Sequence, residues 1–180
     1  MTAQDLGRVV AREADPRWSE VAGSQIELVA LVDGWTVGPA VPESVANVLS
    51  VARSLLIDSY ALYAYSLVAV AWGLLAMEAS LNGCVPGGEQ QDRRSLRLLV
   101  AEAQRHGLIT HDEASALGTA VTLRNRIVHG YLQPKPLGQS YSAKDAVLML
   151  ESIHLAISDF YERQRSQNLS SGQAEIPSPR

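Results

Sequence analysis

The sequence predicts an all-α fold, a helical bundle preceded by an irregular N-terminal extension. Three observations lead there. From Glu43 to Asn82 there is no proline and a single glycine, Gly73. Downstream, each apolar-periodic stretch is bracketed by helix start and stop residues: Asp92 and Gly107, then Thr110 and Gly130, then Ser142 ahead of the last. Finally, 47% of the 180 residues are hydrophobic and 19% charged, enough apolar material for one core at a single-domain length.

Residues 1–41 form the extension. The first eighteen residues carry Asp5, Arg8, Arg12, Glu13 and Asp15 with no apolar run, so they do not read as a secretory leader. The lone Cys84 excludes an intrachain disulfide framework and a cysteine-based zinc cluster, and a soluble, cytoplasmic protein is the expectation. Residues 26–32 (IELVALV) read either as a strand closed by a hairpin turn at Asp33-Gly34 or as a short helix over 19–32. Gly38, Pro39 and Pro42 then mark a break, and the whole segment is expected to pack on the main domain.

Residues 42–165 form the helical domain. Pro42 suits a first helical turn, and the forty residues after it predict one very long helix or two joined by a kink near Asp58. Every seventh position from 52 is small: Ala52, Ser59, Ser66, Gly73 and Ser80. Such a seam lets a neighbouring helix approach closely. Between Asp58 and Glu78 lie nineteen uncharged residues. As a helix they would span about 28 Å, close to a bilayer core of about 30 Å. Tyr60, Tyr63 and Tyr65 crowd one end, however, and no Lys or Arg cluster flanks the run, so a helix buried in a bundle is expected and no membrane partner. Glu78 either marks where this helix meets solvent or is the carboxylate partner of a buried arginine.

Residues 83–92 read as a glycine-rich loop, followed by a helix from Arg93 to His106 with Leu96, Leu99, Val100 and Ala103 on one stripe. Thr110 and Glu113 form a capping box that opens a helix to about His129, with Gly130 as its left-handed cap. A turn with Pro134, Pro136 and Gly138 leads to Ser142, which caps a last helix to about Arg165. Residues 166–180 read as a disordered tail.

Net charge is −4, which argues against a general nucleic-acid coat protein. The distribution says more. Residues 1–92 hold four basic and eleven acidic side chains, whereas 93–131 hold six arginines against three acids. On the helix over 111–129, with Leu117 at 0°, Val128, Val121 and Ala114 fall between about 20° and 60°, and Ala120, Ile127, Ala116 and Leu123 between about 300° and 240°. Arg124 falls at about 340°, inside that apolar arc. A charge buried there without a partner costs several kcal/mol, so Arg124 either pairs with an acid such as Glu78 or Glu102, or the arc opens onto a pocket or interface. Asn125 and His129 sit one turn apart at about 80° and 120°, where the amide can orient the imidazole. Tyr131 follows the glycine. Arg126, near 180°, reads as a solvent-facing charge or phosphate contact, as do Arg93 and Arg97.

Arg124-Asn125-Arg126-Ile127-Val128-His129-Gly130-Tyr131 resembles the R-x4-H-x-Y signature of the HEPN superfamily (higher eukaryotes and prokaryotes nucleotide-binding). The likeness covers roughly residues 43–163, including the helix-G-L-I-helix hairpin over 93–110. It implies an antiparallel bundle, usually a homodimer with its two motifs meeting at the interface. Many members are metal-independent endoribonucleases; others bind nucleotides or RNA or serve as interaction domains. Some pair with nucleotidyltransferase antitoxins that adenylylate the motif tyrosine, which makes Tyr131 the corresponding candidate here.

The side chains suit that chemistry. Metal-free RNA cleavage needs a base for the 2′-hydroxyl, an acid for the 5′-oxygen and a cation on the phosphorane, roles open to His129 and Arg124, with Asn125 orienting. No cofactor is expected, and no H-x-x-x-H or glycine-rich phosphate loop is present. The expectation is an RNA-cleaving toxin or phage-defence effector. Its alternative is a non-catalytic dimerisation or nucleotide- or RNA-binding domain in which Arg124 and His129 only tie helices together. His106 reads as a cation at a helix end, His111 as exposed, His154 as a satisfied packing histidine, and Cys84 as an inert loop thiol. Arg124 in its apolar arc, taken with the small-residue seam, predicts a two-fold homodimer.

Overall fold

The computed structural model describes residues 13–84, 95–130 and 142–172, and among these there are six α-helices, one 3-10 turn and no strand. The helices are α1 (Gln25–Asp33), α2 (Glu43–Asp58), α3 (Ala64–Cys84), α4 (Leu96–Arg105), α5 (His111–Gly130) and α6 (Ala143–Gly172). The all-α expectation is met. For residues 26–32 the helical alternative holds and the strand does not. Ser24 caps α1 by accepting from the Glu27 amide, while Asp33 and Gly34 close a helix end instead of a hairpin.

The long proline-free run is two helices, broken just past Asp58. No Gly or Pro marks the break; the N-terminal segment stabilises it. The Trp18 indole Nε1 donates to the Ser59 carbonyl at 2.7 Å and the Asp15 amide to the Tyr60 carbonyl at 2.8 Å. Carbonyls that end a helix lack intrahelical partners, and these two receive them from residues some 40 positions earlier. Trp18 is fully buried, Arg17 pairs with Asp15 at 2.6 Å, and the same guanidinium lies 3.8 Å over the Tyr63 ring. What composition marks as an extension therefore completes the core.

α3 is the central element and packs against α2, α4, α5 and α6. The small-residue seam is consumed inside the chain: Ala52, Ser59, Ser66 and Ser80 are fully buried. A Cβ on Gly73 would lie 2.6 Å from the Leu150 Cδ1 and 3.3 Å from the Ile153 Cδ1. Only glycine lets α6 come this close, so at Gly73 the close approach is made by a helix of the same chain. The seam hydroxyls turn inward onto their own backbone, Ser66 donating to Tyr63 and Ser80 to Ala76.

Two helix bounds differ from expectation. α4 starts at Leu96 with Ser95 as cap, its side chain accepting from the Leu98 amide, and not at Arg93 behind Asp92. Residues 85–94, with Asp92 and Arg93, lie outside the described residues. α6 opens as expected at Ser142, where Asp145 closes a capping box, but continues to Gly172, seven residues past the boundary expected at Arg165. Residues 173–180 lie outside the described residues.

Candidate functional site

α5 carries the motif. Its first turn is the expected capping box: the Thr110 amide donates to Glu113 Oε2 at 2.6 Å and the Glu113 amide to Thr110 Oγ1 at 3.2 Å. The box does a second job. Arg163 Nη2 on α6 donates to both Glu113 oxygens at 2.9 Å, so the start of α5 is tied to the far half of α6 and the two helices run antiparallel. Burial opposes the charge on Glu113, but the Thr110 amide and Arg163 outweigh it and hold the carboxyl below its usual range.

Leu117 and Val121 are buried, Ala114 packs against the core beside them, and Ala116 is exposed. Among its described positions the apolar arc thus divides into a core stripe, Ala114, Leu117 and Val121, and an uncovered edge at Ala116. Backbone helix continues through Arg124, Asn125, Arg126, His129 and Gly130, so the motif occupies the last turns of α5, and Asn125 is exposed. The side chains of Arg124, Arg126 and His129, and the whole of Tyr131, lie outside the described residues. Of the other candidates, Arg97 is exposed on α4, and Glu78 is half-buried near the end of α3. Glu102 pairs with Arg105 at 3.6 Å.

Beside the uncovered edge of α5 runs a groove against α6 of about 490 Å³, with Ala116, Leu117, Leu148, Leu155 and Ala156 along it and Asp112, Glu113 and Asp159 at its rim. Sequence reasoning did not find it, although Leu148, Ser152, Leu155 and Asp159 follow helical spacing on a face separate from the core positions Val147, Leu150, Ile153 and Ile157. Its rim is acidic, so it suits an apolar or cationic partner better than a phosphate chain. Among the described residues no cluster of three His, Cys, Asp or Glu is placed to hold a metal ion.

The remaining histidines divide by burial. His106 is exposed at the end of α4, and His111 is exposed with its Nδ1 3.1 Å from the Gln104 amide nitrogen. His154 is 2% exposed, against the Trp35 ring, with Nδ1 2.9 Å from the Leu150 carbonyl. Its Nε2 is buried without a partner, so the packing histidine is only half satisfied. Burial pushes this imidazole below its ordinary value of 6.5; the Leu150 carbonyl opposes the shift and nearby Arg53 adds to it. An unfolded chain therefore takes up a proton below pH 6.5 that the folded chain refuses. Stability should fall as pH drops from 6.5 toward the folded value and be flat in this respect above it. Urea denaturation at a neutral and a mildly acidic pH should show His154→Phe losing much less stability on acidification than the wild type. Equal losses would disprove the assignment.

Comparison of the chain with known protein families, with curated proteins and with solved structures finds no match.

Proposed function

We propose that the chain is a metal-independent endoribonuclease of the HEPN type, acting as a toxin or phage-defence effector on cytoplasmic RNA. The observation that carries the reading is the R-x4-H-x-Y sequence, Arg124 to Tyr131, whose Arg and His fall in the last turns of an unbroken helix in an all-helical bundle. Asn125, exposed at that end, adds support. In this reading an imidazole removes the 2′-hydroxyl proton, the 2′-oxygen attacks phosphorus, and the P–O5′ bond breaks as the 5′-oxygen is protonated. The products are a 2′,3′-cyclic phosphate and a 5′-hydroxyl. Arg124 stabilises the phosphorane charge and Asn125 orients His129. One motif histidine per chain serves poorly as both acid and base, so the reading takes a homodimer with both motifs lining one cleft. Arg126, Arg93 and Arg97 would contact flanking phosphates. Tyr131 would be the modification site for a nucleotidyltransferase antitoxin.

The test is cleavage of mixed RNA in EDTA. Wild type should release 2′,3′-cyclic phosphate ends at a rate that changes between about pH 5 and 8, and His129→Ala should lower that rate about 10²–10⁴-fold with its melting temperature unchanged. A second reading, an interaction domain without catalysis, is favoured by the acid-rimmed apolar groove beside α5. It predicts a folded protein that leaves every RNA class intact.

A further inference from the structure

Three turns of α6 form one wall of the groove beside α5. Leu148 and Leu155 stand on it two turns apart, 48 and 60% exposed, and among the described residues only Ile26 shows solvent a larger share of a large apolar side chain than Leu155 does. Ala116 and Leu117 stand on the opposite wall, so the surface has sides and is not a flat patch. Leu148 to Asp159 spans about 16 Å along the helix axis. The hydroxyls in the groove are already used: Ser152 donates to the Leu148 carbonyl at 2.7 Å and Thr119 to the Ser115 carbonyl at 3.4 Å. Little directional hydrogen bonding is left for a small polar ligand, whose recognition depends on a few placed polar groups.

Charge decides the occupant. Asp112 and Asp159 are exposed at the rim and have no ion-pair partner among the described residues. Glu113 differs, because Arg163 holds it at 2.9 Å. Among the described residues no Lys, Arg or His lines the groove, so two uncompensated carboxylates set its field. Such a rim repels RNA and the anionic headgroups of a membrane and favours lysine or arginine. A long, open groove with apolar walls and an acidic edge fits a helix that carries apolar side chains at every third and fourth position and cations beside them.

We propose that the α5–α6 groove binds a basic amphipathic helix of a partner protein, its apolar face on Ala116, Leu148 and Leu155 and its cations on Asp112 and Asp159. The proposal rests on the interaction reading of this groove and names its partner; it does not depend on the chemistry of Arg124 and His129, which RNA cleavage reports separately.

The probe is a fluorescein-labelled helical peptide of about 16 residues, with leucine at every third and fourth position, lysine on both sides of that stripe and alanine elsewhere. Anisotropy titration with the full chain should give saturable one-to-one binding. Leu155→Glu should weaken it about tenfold or more, and Asp112→Asn with Asp159→Asn about three- to tenfold, with a matching loss of salt dependence. Trp72→Glu, a charge on an exposed apolar side chain outside the groove, should leave binding unchanged. Leu155 and both aspartates are exposed, so circular dichroism of these variants should match the wild type. Should a variant fail to fold, amide shifts of the wild type on peptide addition decide: changes centred on 112–119 and 148–159 support the proposal, and changes elsewhere overturn it. A peptide that does not bind, or that binds Leu155→Glu or the aspartate pair as tightly as the wild type, would also overturn it. Equal binding of a peptide with glutamate in place of lysine would overturn the basic partner and leave the interaction reading standing. If Leu155→Glu instead dissociated the chain's own oligomer, the groove would belong to a second copy and the proposal would fall.

Discussion

Trp18→Ala should destabilise the chain by about 3–5 kcal/mol, the range for truncating a fully buried aromatic. Two losses combine. The indole is fully buried, and its Nε1 is the donor that satisfies the Ser59 carbonyl where α2 ends. Removing the donor leaves a buried helix-end carbonyl without its partner, itself worth about 1–3 kcal/mol. Trp18→Phe keeps most of the burial and loses only the hydrogen bond, so it should cost about 1–2 kcal/mol. Urea denaturation of the three proteins checks the order. A loss below about 1 kcal/mol for Trp18→Ala would show that the N-terminal segment rides on the bundle without completing it.

That expectation could not be drawn from the sequence, and the reason is physical. Nothing local marks residues 13–24 as core, and the sequence leaves one long helix and two joined near Asp58 both open, because the contacts that fix the break come from some 40 positions away. Signals carried within one turn were legible: the Thr110–Glu113 box and the Ser142 cap form as written, and Gly107 has the positive φ of 68° that ends the α4 turn. At α4 the sequence predicts Asp92 as the cap, whereas Ser95 caps the helix, its side chain accepting from the Leu98 amide. The polar residues after Arg165 predict an end there, but polar residues do not stop a helix, and α6 continues to Gly172.

The small-residue seam shows the same limit at the level of packing. Its spacing correctly announced a close helix approach, but spacing does not say whose helix. Leu150 and Ile153 of the same chain fill the place beside Gly73. For the candidate site, the sequence supplied the motif and its position at a helix end. The acid-rimmed groove was not seen, because its two walls come from α5 and α6, and each wall alone reads as an ordinary amphipathic edge.

Arg124→Ala should lower RNA turnover about 10²–10³-fold, the cost of removing one charge-stabilising group from a phosphoryl site. Arg124→Lys should recover little of it, since an ammonium cannot hold two phosphate oxygens in a planar fork. Arg97 serves as the contrast. It is exposed on α4, away from any described ion pair, so Arg97→Ala should leave turnover at saturating RNA unchanged, weaken binding, and reduce the salt slope of affinity by about one unit. With six arginines against three acids between residues 93 and 131 in a chain of net charge −4, few phosphates are neutralised, and the wild-type slope should itself be shallow. The split between the two arginines is the decisive readout. A cation on the phosphorane acts on turnover, whereas a cation on flanking phosphate acts on affinity. If Arg124→Ala turned over RNA normally but melted at lower temperature, the residue would be the buried ion-pair partner its place in the apolar arc also allows. The ribonuclease assignment would then lose its phosphate contact.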